Sequence, residues 1–245
     1  MANLVPTALA VIALSAITVA VFVAARLPRP AAAPLAILRG VFQLALVALV
    51  LRGVIASVWL VALALVVMFG VAATTSARRL GFSWRRLGVV AGSMVLGAAT
   101  ALSVVFLSGA LETSPHYLLA LGGIVIGNSM SIATLAGRRL FISAAERWDE
   151  VEGWLALGAL PRDATRLVRR QAAFEALVPS VDQTRTTGLV TLPGSFVGAI
   201  FGGASPAEAA RFQILVLACV IAAGSLTAVV LMRALASIQT KPTQP

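Results

Sequence analysis

No carboxylate occurs before Glu112, so the first 111 residues carry their charge as arginines alone. Those arginines sit between or at the edges of apolar runs about 20 residues long, the length a helix needs to cross a bilayer. Of the 245 residues 60% are hydrophobic and 11% charged, against about 25% charged in a soluble domain. A polytopic helical membrane protein is the class that fits. The basic excess, 19 against 9 acidic, does not read as a nucleic-acid surface, because the arginines lie where the positive-inside rule puts them. Cys219, the single cysteine, lies in an apolar run, which excludes a disulfide framework or thiolate cluster within the chain. The first run lacks a basic flank before it and a small-residue cleavage site after it, and is expected to be a retained span.

Seven spans are expected in an all-α single membrane domain covering 1–245. Leu4–Arg26 is the first, ended by Leu27-Pro-Arg-Pro-Ala-Ala-Ala-Pro34. Leu35–Leu51 and Val54–Ala73 follow, separated by a tight Arg52-Gly53 turn. Gly88–Ser108 and Pro115–Ala136 are the fourth and fifth. Gly188–Gly203 is the sixth, short and glycine-rich, with a broken or re-entrant helix as the alternative. Phe212–Leu235 is the seventh.

With seven spans, sixteen of the basic residues share one side, while Arg52 and Arg211 face the other and Arg39 snorkels from span two. The expected topology is N-terminus outside and C-terminus cytoplasmic, in a bacterial inner (plasma) membrane. Residues 137–187 hold seven of the nine acidic residues. They read as a cytoplasmic helical hairpin, its first helix carrying Phe141, Ala145, Trp148, Glu152 and Leu155 on one face. A second begins at Pro161, buries Ala164, Leu167, Val168, Phe174 and Leu177, and ends at Pro179 before a polar linker, 180–188.

Lys241 is the only lysine, so neither a Walker loop nor a Schiff base is available. One histidine and one cysteine cannot build a His/Cys metal centre, and no Gly-x-Ser-x-Gly elbow is present. The chain does not read as an enzyme and is expected to hold no cofactor. Its spans contain almost no ionisable residues, which argues against proton-coupled transport. Energy for moving a solute would then come from a separate motor subunit.

Glu152-Gly-Trp-Leu-Ala-Leu-Gly158-Ala159-Leu-Pro161 resembles the Glu-Ala-Ala-x-x-x-Gly coupling motif of ABC transporter permeases, with Gly153 and Trp154 in place of its alanines. The alternative for this segment is a surface helix–turn–helix with solvated charges. Ile126-Gly-Asn-Ser-Met-Ser-Ile132, Gly188-Leu-Val-Thr-Leu-Pro-Gly194 and Gly202-Gly-Ala-Ser-Pro-Ala-Glu208, followed by Gln213, flank it in order. Together, over about residues 122–215, they resemble the FetB-type iron-export ABC permease family, whose plant relatives are linked to aluminium tolerance. The N-terminal half matches in hydropathy alone. The resemblance implies a homodimer of permease chains, two copies of an ATP-binding subunit that carries the ATP, and outward movement of iron or another metal. It implies ATPase coupling through Glu152, Gly158, Ala159 and Pro161. A membrane adaptor or sensor that recruits a cytoplasmic partner through 137–187, or an ATP-independent carrier, are the competing functions.

Asn128, Ser129, Met130 and Ser131 form a polar strip near the inner end of span five, either lining a substrate path or packing helices. Pro193 and Gly194 would break span six as a gate or merely kink it. Glu112 and His116 stand four apart at the outer mouth, a cation-receiving pair or solvated surface. Met68 and Met94 read as core or lipid-facing. Metals prefer carboxylate, imidazole or thiolate ligands, so backbone and hydroxyl oxygens, or ligands joined across a dimer, would have to serve.

Overall fold

The structure is a computed structural model that describes residues 4–55 and 57–242, with the side chains of Leu4 and Arg52 outside that description. Its described residues form ten helices, joined by turns and one isolated bridge between Thr187 and Thr191. The chain divides into two units at residue 56. The first holds α1 (Leu4–Ala24) and α2 (Ala32–Ile55). Arg26 and Arg29, with φ of 51° and 58°, turn the chain between them around Pro28 and Pro30. Large apolar residues such as Ile12, Phe42 and Leu49 are exposed along both, as befits helices solvated by lipid.

The second unit is built on four long helices: α3 (Val58–Arg79), α4 (Trp84–Leu107), α5 (Pro115–Glu146) and α10 (Pro206–Ala234). Ser83, Ser114 and Ser205 start α4, α5 and α10 by accepting a backbone N–H from inside the first turn. Pro115 and Pro206 occupy the first helical positions, and Glu208 completes a capping box with Ser205. The helices meet through alanine, glycine, serine and threonine, the small residues that let backbones approach in lipid. One core layer surrounds Met94, Leu140 and Leu231, and a second surrounds Leu121, Val125 and Ala223.

The arginines gather at one end of this bundle. There the Thr134 hydroxyl joins Ser76 at 3.0 Å, so late α5 lies beside late α3. Arg86, at the start of α4, donates to the carbonyls of Leu80 and Gly81 and sits 5.4 Å from the Phe141 ring centroid. At the other end, Arg211 donates to the Ala110 carbonyl at 2.7 Å.

Between α5 and α10 the chain forms α6 (Trp148–Ala156), α7 (Pro161–Ala164), α8 (Arg166–Thr186) and α9 (Gly194–Phe201). Here the structure corrects the sequence reading. Among the described residues six helices, not seven, are long and apolar enough to cross a membrane. Residues 188–203 are not a continuous span, because α9 is about 12 Å long. The chain already runs beside α10 in α8. Thr165 donates to Ala236 O and Arg169 to Met232 O, both at 3.3 Å, beside the end of α10. Leu177 then lies beside Gly224, and Ser195 in α9 reaches Gln213. Residues 213 to 234 make about 32 Å of α10, close to a hydrocarbon-core thickness. Residues 165–201 therefore run alongside α10, with α8 and α9 in series.

Other boundaries shift for related reasons. Arg52 and Gly53 continue α2, and the side assigned to Arg52 falls outside the described side chains. Helix α5 runs ten residues past Ala136 and includes Phe141 and Ala145. Pro179 lies inside α8, which gives up one backbone hydrogen bond and continues. Val168, Ala172 and Ala176 form its buried face, whereas Leu167 and Phe174 are exposed. Helix α10 begins six residues before Phe212.

Candidate functional site

The turn between α6 and α7 is built by its own sequence. Asp149 and Glu150 occupy the first turn of α6, favourable against the helix dipole. Val151, 1% exposed, anchors the helix to the core. Gly158 takes φ +86°, its N–H bonds Leu155 O, and the Ala159 N–H bonds Trp154 O. This pair of bonds is a Schellman stop, which favours glycine at the left-handed position. Pro161 then opens α7. Glu152, Gly158, Ala159 and Pro161 are thus brought to one apex, with Trp154, Leu157 and Leu160 exposed around it. Nothing lies within 4 Å of a Cβ built on Gly153, so the departure from alanine there leaves space, not strain.

The four residues of the α5 strip do not share a face. Ser129 is 1% exposed, and its hydroxyl is the one buried side-chain polar atom without a partner among the described residues. Met130 packs against the core. Asn128 is half-buried and Ser131 exposed, each donating to the carbonyl four residues earlier, Ile124 and Gly127. Their depth also differs from expectation. Gly122 packs on Leu65 and Gly137 on Leu80, so Asn128 stands midway along α3, not at its inner end.

Beside this face runs the polar part of α8. Arg139 and Glu175 pair at 3.3 Å, and from there the antiparallel register sets Gln183 level with Ser131. Asp182 and Arg185 pair at 3.5 Å, both exposed, about 7 and 12 Å beyond the level of Leu177. Arg185, expected in the polar linker 180–188, lies instead in the last turn of α8. The sequence reading missed this because Ser180–Thr187 looks like linker; an uninterrupted run free of glycine was the available signal.

Past α8, Gly188 turns the chain at φ +85°, and its N–H bonds Thr191 O at 2.8 Å. Pro193 caps α9 and Gly194 begins it, so both stand at the break between α8 and α9. The Ser195 hydroxyl donates to Gln213 Oε1, tying the short helix to the buried side of α10. Leu189, Val190, Leu192 and Phe201 are exposed around the break.

His116 lines a cavity of about 180 Å³ with Tyr117, Glu208 and Phe212, and Glu112 is not part of its wall. Glu208 already accepts the Ser205 N–H and hydroxyl at 2.9 and 2.7 Å. Among the described residues no three His, Cys, Asp or Glu side chains cluster to hold a metal.

Similarity to known proteins follows the same architecture. No solved structure matches the chain. It is 34% identical over 182 residues to a UPF0014 membrane protein of Synechocystis sp., covering 70% of this chain and 68% of that one. It is 31% identical over 194 residues to the Arabidopsis thaliana protein named ALUMINUM SENSITIVE 3, covering 78% and 71%. Identity is 33% over 138 residues, 56% of this chain and 53% of the relative, to the Escherichia coli protein named "Probable iron export permease protein FetB". The model of the uncharacterised protein family UPF0014 matches residues 5–238, from the first apolar helix to just beyond α10, and the chain belongs to that family of membrane proteins.

Proposed function

We propose that this chain is the membrane permease subunit of an ABC transporter that exports iron or another metal ion, driven by ATP hydrolysed on a separate subunit. The observation that carries the reading is the apex at Gly158. Its Schellman turn holds two short helices in a fixed projecting shape, with Glu152, Trp154, Leu157 and Leu160 turned outward. An acidic and apolar knob of that kind suits a groove on a soluble partner. The arginine-rich end is the cytoplasmic one by the positive-inside rule, which puts the apex where an ATP-binding subunit meets it. The name of the Escherichia coli relative supports metal export.

Closure of the ATP-binding subunits would push on α6 and α7 and, through α8, on the break at 187–193. The path would run along Asn128 and Ser131 of α5 and Asp182 and Gln183 of α8, with a second copy of the chain closing its open side. Asp182 and the amide and hydroxyl oxygens there supply hard donors suited to a metal cation in transit.

A mild-detergent pull-down of the tagged chain from its native membrane, with mass spectrometry of the captured proteins, tests the class. A stoichiometric ATP-binding subunit is expected, with ATP-dependent metal flux in vesicles that hold both. Flux from the chain alone in liposomes would identify an ATP-independent carrier instead. Capture of a different cytoplasmic protein, without flux, would identify an adaptor.

A further inference from the structure

At the arginine-rich end, the start of α8 and the end of α10 enclose a cavity of about 570 Å³. Five guanidiniums line it, those of Arg162, Arg166, Arg169, Arg170 and Arg233, against the single carboxylate of Asp163. Arg169 is committed: it donates to Thr165 Oγ1, Met232 O and Arg162 O, all neutral acceptors. It fixes the cavity wall without cancelling any of its charge. Asp163 pairs with Arg162 at 3.7 Å, with both side chains more than half exposed. Arg166, Arg170 and Arg233 have no acidic partner within 4.0 Å among the described residues.

We propose that this cavity binds a phosphate-bearing anion, the headgroup of an anionic phospholipid in the adjoining leaflet. Guanidinium forks match phosphate oxygens bidentately, and a concave cluster of one sign concentrates the field that attracts them. The surroundings favour a lipid over a soluble ion. Val229 and Met232, from the membrane-spanning α10, form the apolar part of the wall. Phe174 and Leu167, 71% and 57% exposed on α8, offer surface for acyl chains nearby. An acidic protein groove would meet the same charge, but it gives no reason for apolar side chains exposed beside the arginines. Basic pockets at the membrane boundary of helical bundles suit lipid headgroups for these reasons. The inference stands apart from the permease reading and does not require it.

The test uses the purified full chain, equilibrated in detergent with phosphatidylglycerol or phosphatidylcholine and examined by native mass spectrometry. Retained phosphatidylglycerol, in excess of phosphatidylcholine, is expected. The triple variant Arg166→Gln, Arg170→Gln, Arg233→Gln should lose on the order of tenfold or more of it, since each basic residue at a membrane surface contributes roughly fivefold. Among the described residues none of the three side chains makes a hydrogen bond, so the size-exclusion profile of the triple variant should not change. The control variant Arg78→Gln, Arg79→Gln removes two exposed arginines at the same end and should retain the lipid. Unchanged binding in the triple variant overturns the site. Thermal stabilisation of the wild type by millimolar inorganic phosphate, without preference for phosphatidylglycerol, overturns the lipid as its source. Loss of a co-purifying protein with full lipid retention shows a protein-docking surface and overturns the proposal.

Discussion

Gly97 of α4 lies directly against Ala223 of α10: a Cβ at position 97 would stand 2.3 Å from the Ala223 carbonyl oxygen. The atom in the way is backbone, and Thr227 Oγ1 closes the other side at 2.5 Å. The backbone oxygen cannot turn aside, so Gly97→Ala must part the two helices that carry the second core layer. The expected loss is about 2–3 kcal/mol, the upper range for overpacking. Gly92, on the same helix, has open space where its Cβ would stand. Gly92→Ala should stabilise by about 0.5 kcal/mol through the unfolded chain. Thermal unfolding of both variants in detergent checks the opposite signs.

The Ser195–Gln213 bond yields a second expectation. Gln213 is 6% exposed, so Ser195→Ala leaves a buried amide oxygen without its donor. The expected cost is about 1–2 kcal/mol. Removing both partners, in Ser195→Ala with Gln213→Leu, should restore most of that loss, because no buried polar group is then stranded. A double-mutant cycle on thermal stability measures the coupling. Equal losses in the single and double variants would show that the bond does not hold α9 in place.

Much of this fold was legible from apolar length and arginine position. Helices α1, α3, α4 and α10 sit where their hydropathy puts them, since only intrahelical bonding satisfies a backbone in lipid. The course of residues 165–205 beside α10 was not legible. Its helical part contains Glu175, Asp182 and Arg185, and a hydropathy reading assigns such residues to water. The structure sets them along α10, where tertiary packing through Ala172, Ala176 and Leu177 outweighs composition. Pro179 misled for a related reason, because a proline costs one hydrogen bond but does not oblige a packed helix to stop. The apex was read correctly as a glycine turn, since Gly158 and Pro161 act through local geometry alone. The α5 strip was read as one unit because four consecutive polar residues look alike in sequence. A 100° step per residue turns Ser129 inward and Ser131 outward.

At the apex, Gly158→Pro would fix φ near −65° where the chain needs +86°, and would delete the N–H that bonds Leu155 O. Nothing lies within 4 Å of a Cβ there, so the damage stays local. Membrane insertion and size-exclusion behaviour should match the wild type, while ATP-dependent export and co-purification of the ATP-binding subunit are lost. Glu152→Arg, which reverses an exposed charge on the same apex, should give the same split. Full export in both variants would remove the coupling role from this turn.

Asp182 carries the last expectation. It is the carboxylate that α8 holds beyond the level of Leu177, exposed and paired with Arg185 at 3.5 Å. If cargo passes along the α5–α8 face, a cation must displace Arg185 from that carboxylate or share it. Asp182→Asn keeps shape and removes the charge, and should lower metal export at least tenfold. That factor corresponds to about 1.4 kcal/mol, a modest share of what a charge is worth away from water. Arg185→Gln frees the carboxylate and should tighten metal binding while slowing release, so export falls as cargo affinity rises. Asp149→Asn, on the exposed first turn of α6, should leave export unchanged. Metal flux and equilibrium metal binding, measured on the three variants in vesicles, separate a path residue from a structural ion pair. A structural pair would lose thermal stability equally in Asp182→Asn and Arg185→Gln, and would move affinity in neither.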